Sequence, residues 1–174
     1  MLPATVLTLA SCAGSGGYGD EQESSALEEQ MAQEEEMVLM APPGTRYLEC
    51  QTRPRETDIE TIGPDGGQLQ VNGHLLDIPA GAVEGEAVEF RMRDPGAANG
   101  KIIIVPSYEF VGNFQPSLTL SYAHCDAEGV ESLEMHRWTL GMDRPSVIQG
   151  YPDAQDSTFT VDLDHTSTYI IASN

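Results

Sequence analysis

From Asp58 to Asn174 the chain reads as short runs of alternating apolar and polar side chains, cut by Gly, Pro, Asn and Asp. That is the pattern of strands with one face on a core and the other in water. Gln68-Leu69-Gln70-Val71 and Leu75-Leu76-Asp77-Ile78 flank Asn72-Gly73. Both turn residues tolerate positive φ, so the segment predicts a tight hairpin. Val88, Phe90 and Met92 alternate with Glu89, Arg91 and Arg93, and Leu118, Leu120 and Tyr122 alternate with Ser117, Thr119 and Ser121. Phe159, Val161 and Leu163 do the same with Thr160, Asp162 and Asp164. Ile102-Ile103-Ile104-Val105 is a continuous β-branched run between Gly100 and Pro106, which predicts a strand covered on both faces. With a less regular run from Leu133 to Leu140 and the closing Tyr169-Ile170-Ile171, the count is about eight strands. Residues 58–174 are therefore expected to form an all-β domain, an antiparallel β-sandwich.

The chain before Asp58 has a different texture. Ala13-Gly14-Ser15-Gly16-Gly17-Tyr18-Gly19 has the composition of a flexible linker. From Asp20 to Glu36 there are eight acids and no base, and such blocks repel themselves. Ser25-Ala26-Leu27-Glu28 reads as a capping box, and Leu27, Met31 and Val38 fall along one helical stripe. A helix of about 15 residues is marginal in water without a surface to pack on, and Glu34-Glu35-Glu36 adds repulsion. Residues 13–57 are expected to be a disordered or weakly helical acidic tether, its helix ended by Pro42-Pro43-Gly44. A partner-binding helix is the sharper alternative.

Composition narrows the function. A chain of 174 residues has room for one ordinary domain plus extra segments, which argues against a two-domain enzyme. With 28 acidic against 8 basic residues the formal net charge is -20, so nucleic acid and anionic membrane surfaces repel the chain. No pair among Cys12, Cys50 and Cys125 has the close spacing of a zinc knuckle or a redox dithiol motif.

Cys12 closes Leu9-Ala10-Ser11-Cys12 after the apolar stretch Val6-Leu7-Thr8-Leu9-Ala10. Residues 1–12 thus resemble the lipobox-bearing signal of bacterial lipoproteins. The resemblance implies cleavage before Cys12, lipidation of its thiol, and an extracytoplasmic protein anchored to the cell envelope. Two or three acyl chains anchor firmly, at about 0.8 kcal/mol per buried methylene. The apolar run is shorter than the roughly 7–15 residues of a usual signal, and no Lys or Arg precedes it; a start further upstream would account for both. No other stretch approaches the roughly 18 apolar residues of a membrane span. The expected partners are the membrane, through lipidated Cys12, and another envelope protein or a polysaccharide. In an oxidising compartment Cys50 and Cys125 are free to bridge; they also suit separate core positions. His124 and Asp126 flank Cys125, but neighbours on a strand point to opposite faces, so this trio is not expected to converge on a metal ion.

Four phrases resemble the sandwich domain of zonula-occludens proteins and uncoordinated-type netrin receptors, the ZU-five domain, and its bacterial relatives. They are Gly66-Gly67-Gln68-Leu69, Ile78-Pro79-Ala80-Gly81-Ala82, Pro116-Ser117-Leu118-Thr119-Leu120-Ser121-Tyr122 and Asp164-His165-Thr166-Ser167-Thr168-Tyr169. The resemblance spans roughly Ile62 to Ala172 and implies a scaffold more than an activity. Some members cut their own chain at the closing motif. Carried over, Ser167 would attack the Thr166 carbonyl with His165 as helper. The aromatic residue of that motif is Thr166 here, and a cut would release only Ser167 to Asn174.

Other chemistry finds little purchase. Gly14-Ser15-Gly16 lies in the linker and makes no nucleophile elbow. His74, His124, His136 and His165 are scattered, and Asp162 and Asp164 share what reads as the wet side of a strand. Trp138, Tyr108, Tyr122 and Tyr151 offer a carbohydrate platform, although aromatics are only 6% of the chain and a core needs most of them. No cofactor and no metal are expected. The leading expectation is a non-catalytic, envelope-anchored interaction module; self-cleavage at Ser167 and carbohydrate binding are the alternatives.

Overall fold

In the computed structural model the described residues are 18–37, 39–111, 114–127 and 132–173, with the side chains of the helix described from residue 24. Cys12, the glycine-rich run up to Gly17 and Val38 lie outside them. One sheet runs β11 (Ser146–Ile148), β10 (Leu133–Trp138), β14 (Thr168–Ser173), β7 (Ile102–Val105), β6 (Val88–Asp94) and β3 (Glu56–Ile62), with β1 (Arg46–Tyr47) also paired to β14. The second runs β12 (Tyr151–Asp153), β13 (Thr158–Asp162), β8 (Ser117–Ser121), β5 (His74–Ile78) and β4 (Gly67–Val71). A two-stranded ribbon joins β2 (Glu49–Cys50) to β9 (Cys125–Asp126). Every pairing is antiparallel.

The alternating and apolar runs all form strands: β4, β5, β6, β7, β8, β10, β13 and β14. Asn72 and Gly73 turn the β4–β5 hairpin with φ of 46° and 81°, and Leu69 faces Leu76 across it. Inward-facing Leu69, Leu76, Phe90, Met92, Leu118, Leu120, Phe159 and Val161 interdigitate in the main core. Six further strands had no readable alternation. Five have two or three residues, too short for a period to show. The sixth, β3, is the polar edge strand Glu-Thr-Asp-Ile-Glu-Thr-Ile, exposed along most of its length, and its register comes from pairing with β6 from Glu56↔Asp94 to Ile62↔Val88.

The structure departs from the expected tether over residues 24–57. Arg46–Tyr47, Glu49–Cys50 and the first two residues of β3, Glu56 and Thr57, belong to strands, so β structure begins ahead of Asp58. The helix α1 (Tyr18–Glu36) is docked on the outer face of the first sheet. Strand β7 alternates there: Ile102 and Ile104 enter the main core, while Ile103 and Val105 pack against Leu27 and Met31 of α1. Burying those two helix side chains contributes about 1.5–3 kcal/mol each, which an isolated helix lacks. Glu34, one turn on, is buried and accepts a hydrogen bond from the Thr168 hydroxyl. Burial pushes its carboxyl up despite the bonds from Thr168 and Gln30 and the nearby Lys101.

Charge completes the docking. Four of the 8 basic residues in the sequence, Arg55, Arg91, Arg93 and Lys101, reach α1. Arg93 meets Glu28 at 3.1 Å and Glu35 at 3.5 Å, Arg91 pairs with Glu28, and Arg55 pairs with Glu35. The repulsion that argues against the helix in isolation is thus compensated from strand β6 and from the residues just before β3 and β7. No described helix is long and apolar enough to cross a membrane.

Candidate functional site

The ribbon of β2 and β9 places Cys50 directly opposite Cys125, and the two are joined by a disulfide across a sequence separation of 75 residues. On chain entropy such a loop is worth about 4 kcal/mol. The backbone holds the ribbon independently: the Cys50 N–H donates to Ala98 O at 2.6 Å, Gln51 N–H to His124 O at 2.9 Å, and Cys125 N–H to Tyr122 O at 2.9 Å. Gly100, with φ of +63°, passes close behind the sulfurs, and a Cβ there would lie 3.0 Å from the Cys50 sulfur.

His124 belongs to the turn before β9 rather than to a strand. Strand alternation therefore does not apply, and its ring nitrogens stand 3.8 and 3.7 Å from the Cys125 sulfur. Contrary to the expectation for strand neighbours, this turn brings His124 beside Cys125; Asp126, in the strand, is exposed and outside the cluster. Burial lowers the His124 pKa, and the neighbouring Arg53 and His74 push the same way. The imidazole is neutral at neutral pH. A cleft of about 420 Å³ opens on the group, lined also by Glu49, Gln51 and Asp126.

Behind it lies a buried polar knot. His74 is 1% exposed, and its Nδ1 accepts the Ser121 N–H at 3.0 Å. Its Nε2 is 2.7 Å from Arg53 Nη2 and 3.7 Å from Asp94 Oδ2. Asp94 also accepts from Arg53 at 3.0 Å, from Asn72 at 2.9 Å and from the Gly96 N–H at 2.7 Å. Burial alone would raise its pKa; the nearby His74 and the hydrogen bonds from the Gly96 N–H and Asn72 outweigh it and hold the carboxyl at about 2. This knot ties the β4–β5 hairpin to the end of β6.

The closing motif is arranged differently from a nucleophile and its base. The Ser167 hydroxyl is buried, donates to the Trp138 carbonyl at 2.5 Å and lies 3.2 Å from the Thr139 hydroxyl. His165 Nδ1 is 3.0 Å from Asp164 Oδ1. Its ring lines an open cleft of about 500 Å³ with Ser107, Glu109 and Asp164. The hydrogen bonds of these two side chains thus run to different neighbours. Asp164 is drawn below the ordinary carboxylate range by Arg137 and His165, against the effect of burial.

The four aromatic residues do not assemble into a platform. Trp138 is buried and donates to the Tyr47 hydroxyl at 2.9 Å; Tyr108 packs edge-on to Phe90 at 5.4 Å; Tyr122 is buried beneath Asp153, whose carbonyl accepts its hydroxyl at 3.2 Å. Tyr151 is 73% exposed on β12. Sequence reasoning missed two groups, the His124 sulfur cluster and the basic face beneath α1. The second had a signal: Arg91 and Arg93 occupy the outward positions of a strand in a chain poor in bases, a placement that asks for acidic cover.

No protein-family model matches the chain, and no curated protein matches it in sequence.

Proposed function

We propose that the protein is a bacterial lipoprotein, anchored to the cell envelope through Cys12, that presents a non-catalytic sandwich of ZU-five type for protein or polysaccharide interaction. The observation that carries this reading is the Cys50–Cys125 disulfide, since such bonds persist in oxidising, extracytoplasmic compartments. Exposed apolar side chains support an interaction role. Among the described residues, four of the seven exposed large hydrophobics, Leu140, Met142, Val147 and Tyr151, lie on the edge strands β11 and β12 or in the connection from β10 to β11. Such clustering marks contact surfaces. Ser167 and His165 serve packing and hydrogen bonding in this reading.

Metabolic labelling with palmitate, followed by membrane fractionation, tests the anchor. Label should enter the parent chain and disappear in Cys12→Ser, with the variant moving to the soluble fraction. Equal labelling of both, or a parent chain that is wholly soluble and unlabelled, would end the proposal.

A further inference from the structure

Where β2 meets β9, three soft-ligand atoms gather: the sulfurs of Cys50 and Cys125 and a ring nitrogen of His124, all within 4.8 Å of one another. While joined, the sulfurs are withheld from any ion, because metals take thiolates. The geometry points to a zinc-class metal site that exists only in the dithiol state, with Cys50 and Cys125 as thiolate ligands, His124 as the imidazole ligand, and the disulfide as the closed form.

Distances favour this over a disulfide with an incidental neighbour. Tetrahedral zinc, with bonds of about 2.3 Å to sulfur and about 2.0 Å to nitrogen, has a sulfur–nitrogen edge of about 3.5 Å and a sulfur–sulfur edge of about 3.8 Å. Both ring nitrogens of His124 lie near the first edge length, at 3.8 and 3.7 Å from the Cys125 sulfur, and a rotation of the ring aims one of them at the ion. The sulfurs need to part by about 1.8 Å from a bonded separation of about 2.0 Å, a change within the range of χ1 rotation for two half-buried side chains.

The frame survives that change. Besides the disulfide, the ribbon is held by the pairing Glu49↔Asp126 and Cys50↔Cys125, and the bond from Gln51 N–H to His124 O at 2.9 Å ties β2 to the turn that bears the imidazole. Gly100 keeps clear the space beside both sulfurs, where a side chain would begin 3.0 and 3.8 Å from them. The fourth position opens into the cleft, where water can fill it.

A dithiol reductant opens the site by exchange. One of its thiolates attacks a protein sulfur to form a mixed disulfide and free the other protein thiolate, and its second thiol resolves the intermediate. Two electrons pass to the protein, two protein thiols result, and the reductant leaves as its own disulfide. Zinc binding then displaces one proton from each thiol. This inference does not depend on the anchor at Cys12.

The test uses the full chain carrying Cys12→Ser, so that no third thiol contributes, reduced with a phosphine and titrated with Co²⁺. One equivalent should produce a thiolate-to-cobalt charge-transfer band that added Zn²⁺ abolishes, whereas the oxidised chain should give none. Cys50→Ser should lose the band. His124→Ala, which keeps both sulfurs and the disulfide, should bind more weakly by well over 100-fold, beyond the roughly 10–100-fold that loss of a merely supporting residue produces. Circular dichroism before metal addition checks that reduction leaves the sheets intact. The inference is overturned if the reduced chain binds Co²⁺ no better than the oxidised one, if His124→Ala titrates like its parent, or if reduction unfolds the sandwich and metal does not restore it.

Discussion

Lys101, the only lysine in the sequence, caps the C-terminal end of α1: its Nζ donates to the carbonyl of Glu34 at 3.3 Å and also to that of Glu35. The last carbonyls of a helix have no partner within it and carry the negative end of its dipole. A buried ammonium from the residue just before β7 satisfies both needs. Burial pulls the Lys101 pKa down, against the opposing pull of Glu35 and Glu34. Lys101→Met keeps the stem and removes the cap. The expected loss is about 1.4 kcal/mol, or about tenfold faster amide exchange in α1. The exchange of β8 and β13 should stay as it was, and equal acceleration there would show that α1 does not open as a separate unit.

Glu34 gives a pH-dependent counterpart. Its carboxyl is pushed up by burial, so the folded state holds its proton more tightly than the unfolded one, and docking strengthens as pH falls toward that raised value. Glu34→Gln mimics the protonated form and keeps an oxygen for the Thr168 hydroxyl. At neutral pH the variant should protect α1 from proteolysis at least as well as the parent. In mild acid the two should converge. Faster cleavage of Glu34→Gln at neutral pH would contradict this account.

Asp94 behaves in the opposite sense. Its pKa of about 2, against an ordinary 3.8, means that the unfolded chain binds the proton more readily between those values. Its contribution of about 2 kcal/mol is complete above the ordinary value and is lost as pH falls toward 2. Asp94→Asn should therefore lower stability at neutral pH by about that amount and flatten the acid limb of a urea-midpoint profile. An unchanged limb would reassign the acid sensitivity to other carboxylates.

Ser167→Ala leaves the Trp138 carbonyl without its donor, a cost of about 1 kcal/mol, seen as a small drop in Tm. Both parent and variant should show a single intact mass for the chain. A parent fragment ending at Thr166, absent in Ser167→Ala, would instead establish self-cleavage.

Most of the sandwich was legible because the signals are local. Alternation at Phe90 and Met92, and the Asn72-Gly73 turn, follow from side-chain period and φ preference within a few residues. Strand β3 was not legible, because Glu56 to Ile62 is held by the partner β6 rather than by a core-facing pattern of its own. The candidate site was legible in part. Cys50 and Cys125 stood out as a pair, but the place of His124 beside them depends on a turn whose geometry no short window of sequence contains.

Strand β7 marks the division between what is local and what is not. Four consecutive β-branched residues, Ile102 to Val105, determine by themselves that the strand is covered on both faces, since successive side chains point opposite ways and all four are apolar. The identity of the outer cover was decided only by tertiary structure. An acidic helix that repels itself in isolation settles on Ile103 and Val105 because Arg55, Arg91, Arg93 and Lys101 converge there from separate segments. Complementarity of that kind exists only once the sheet has brought those residues together.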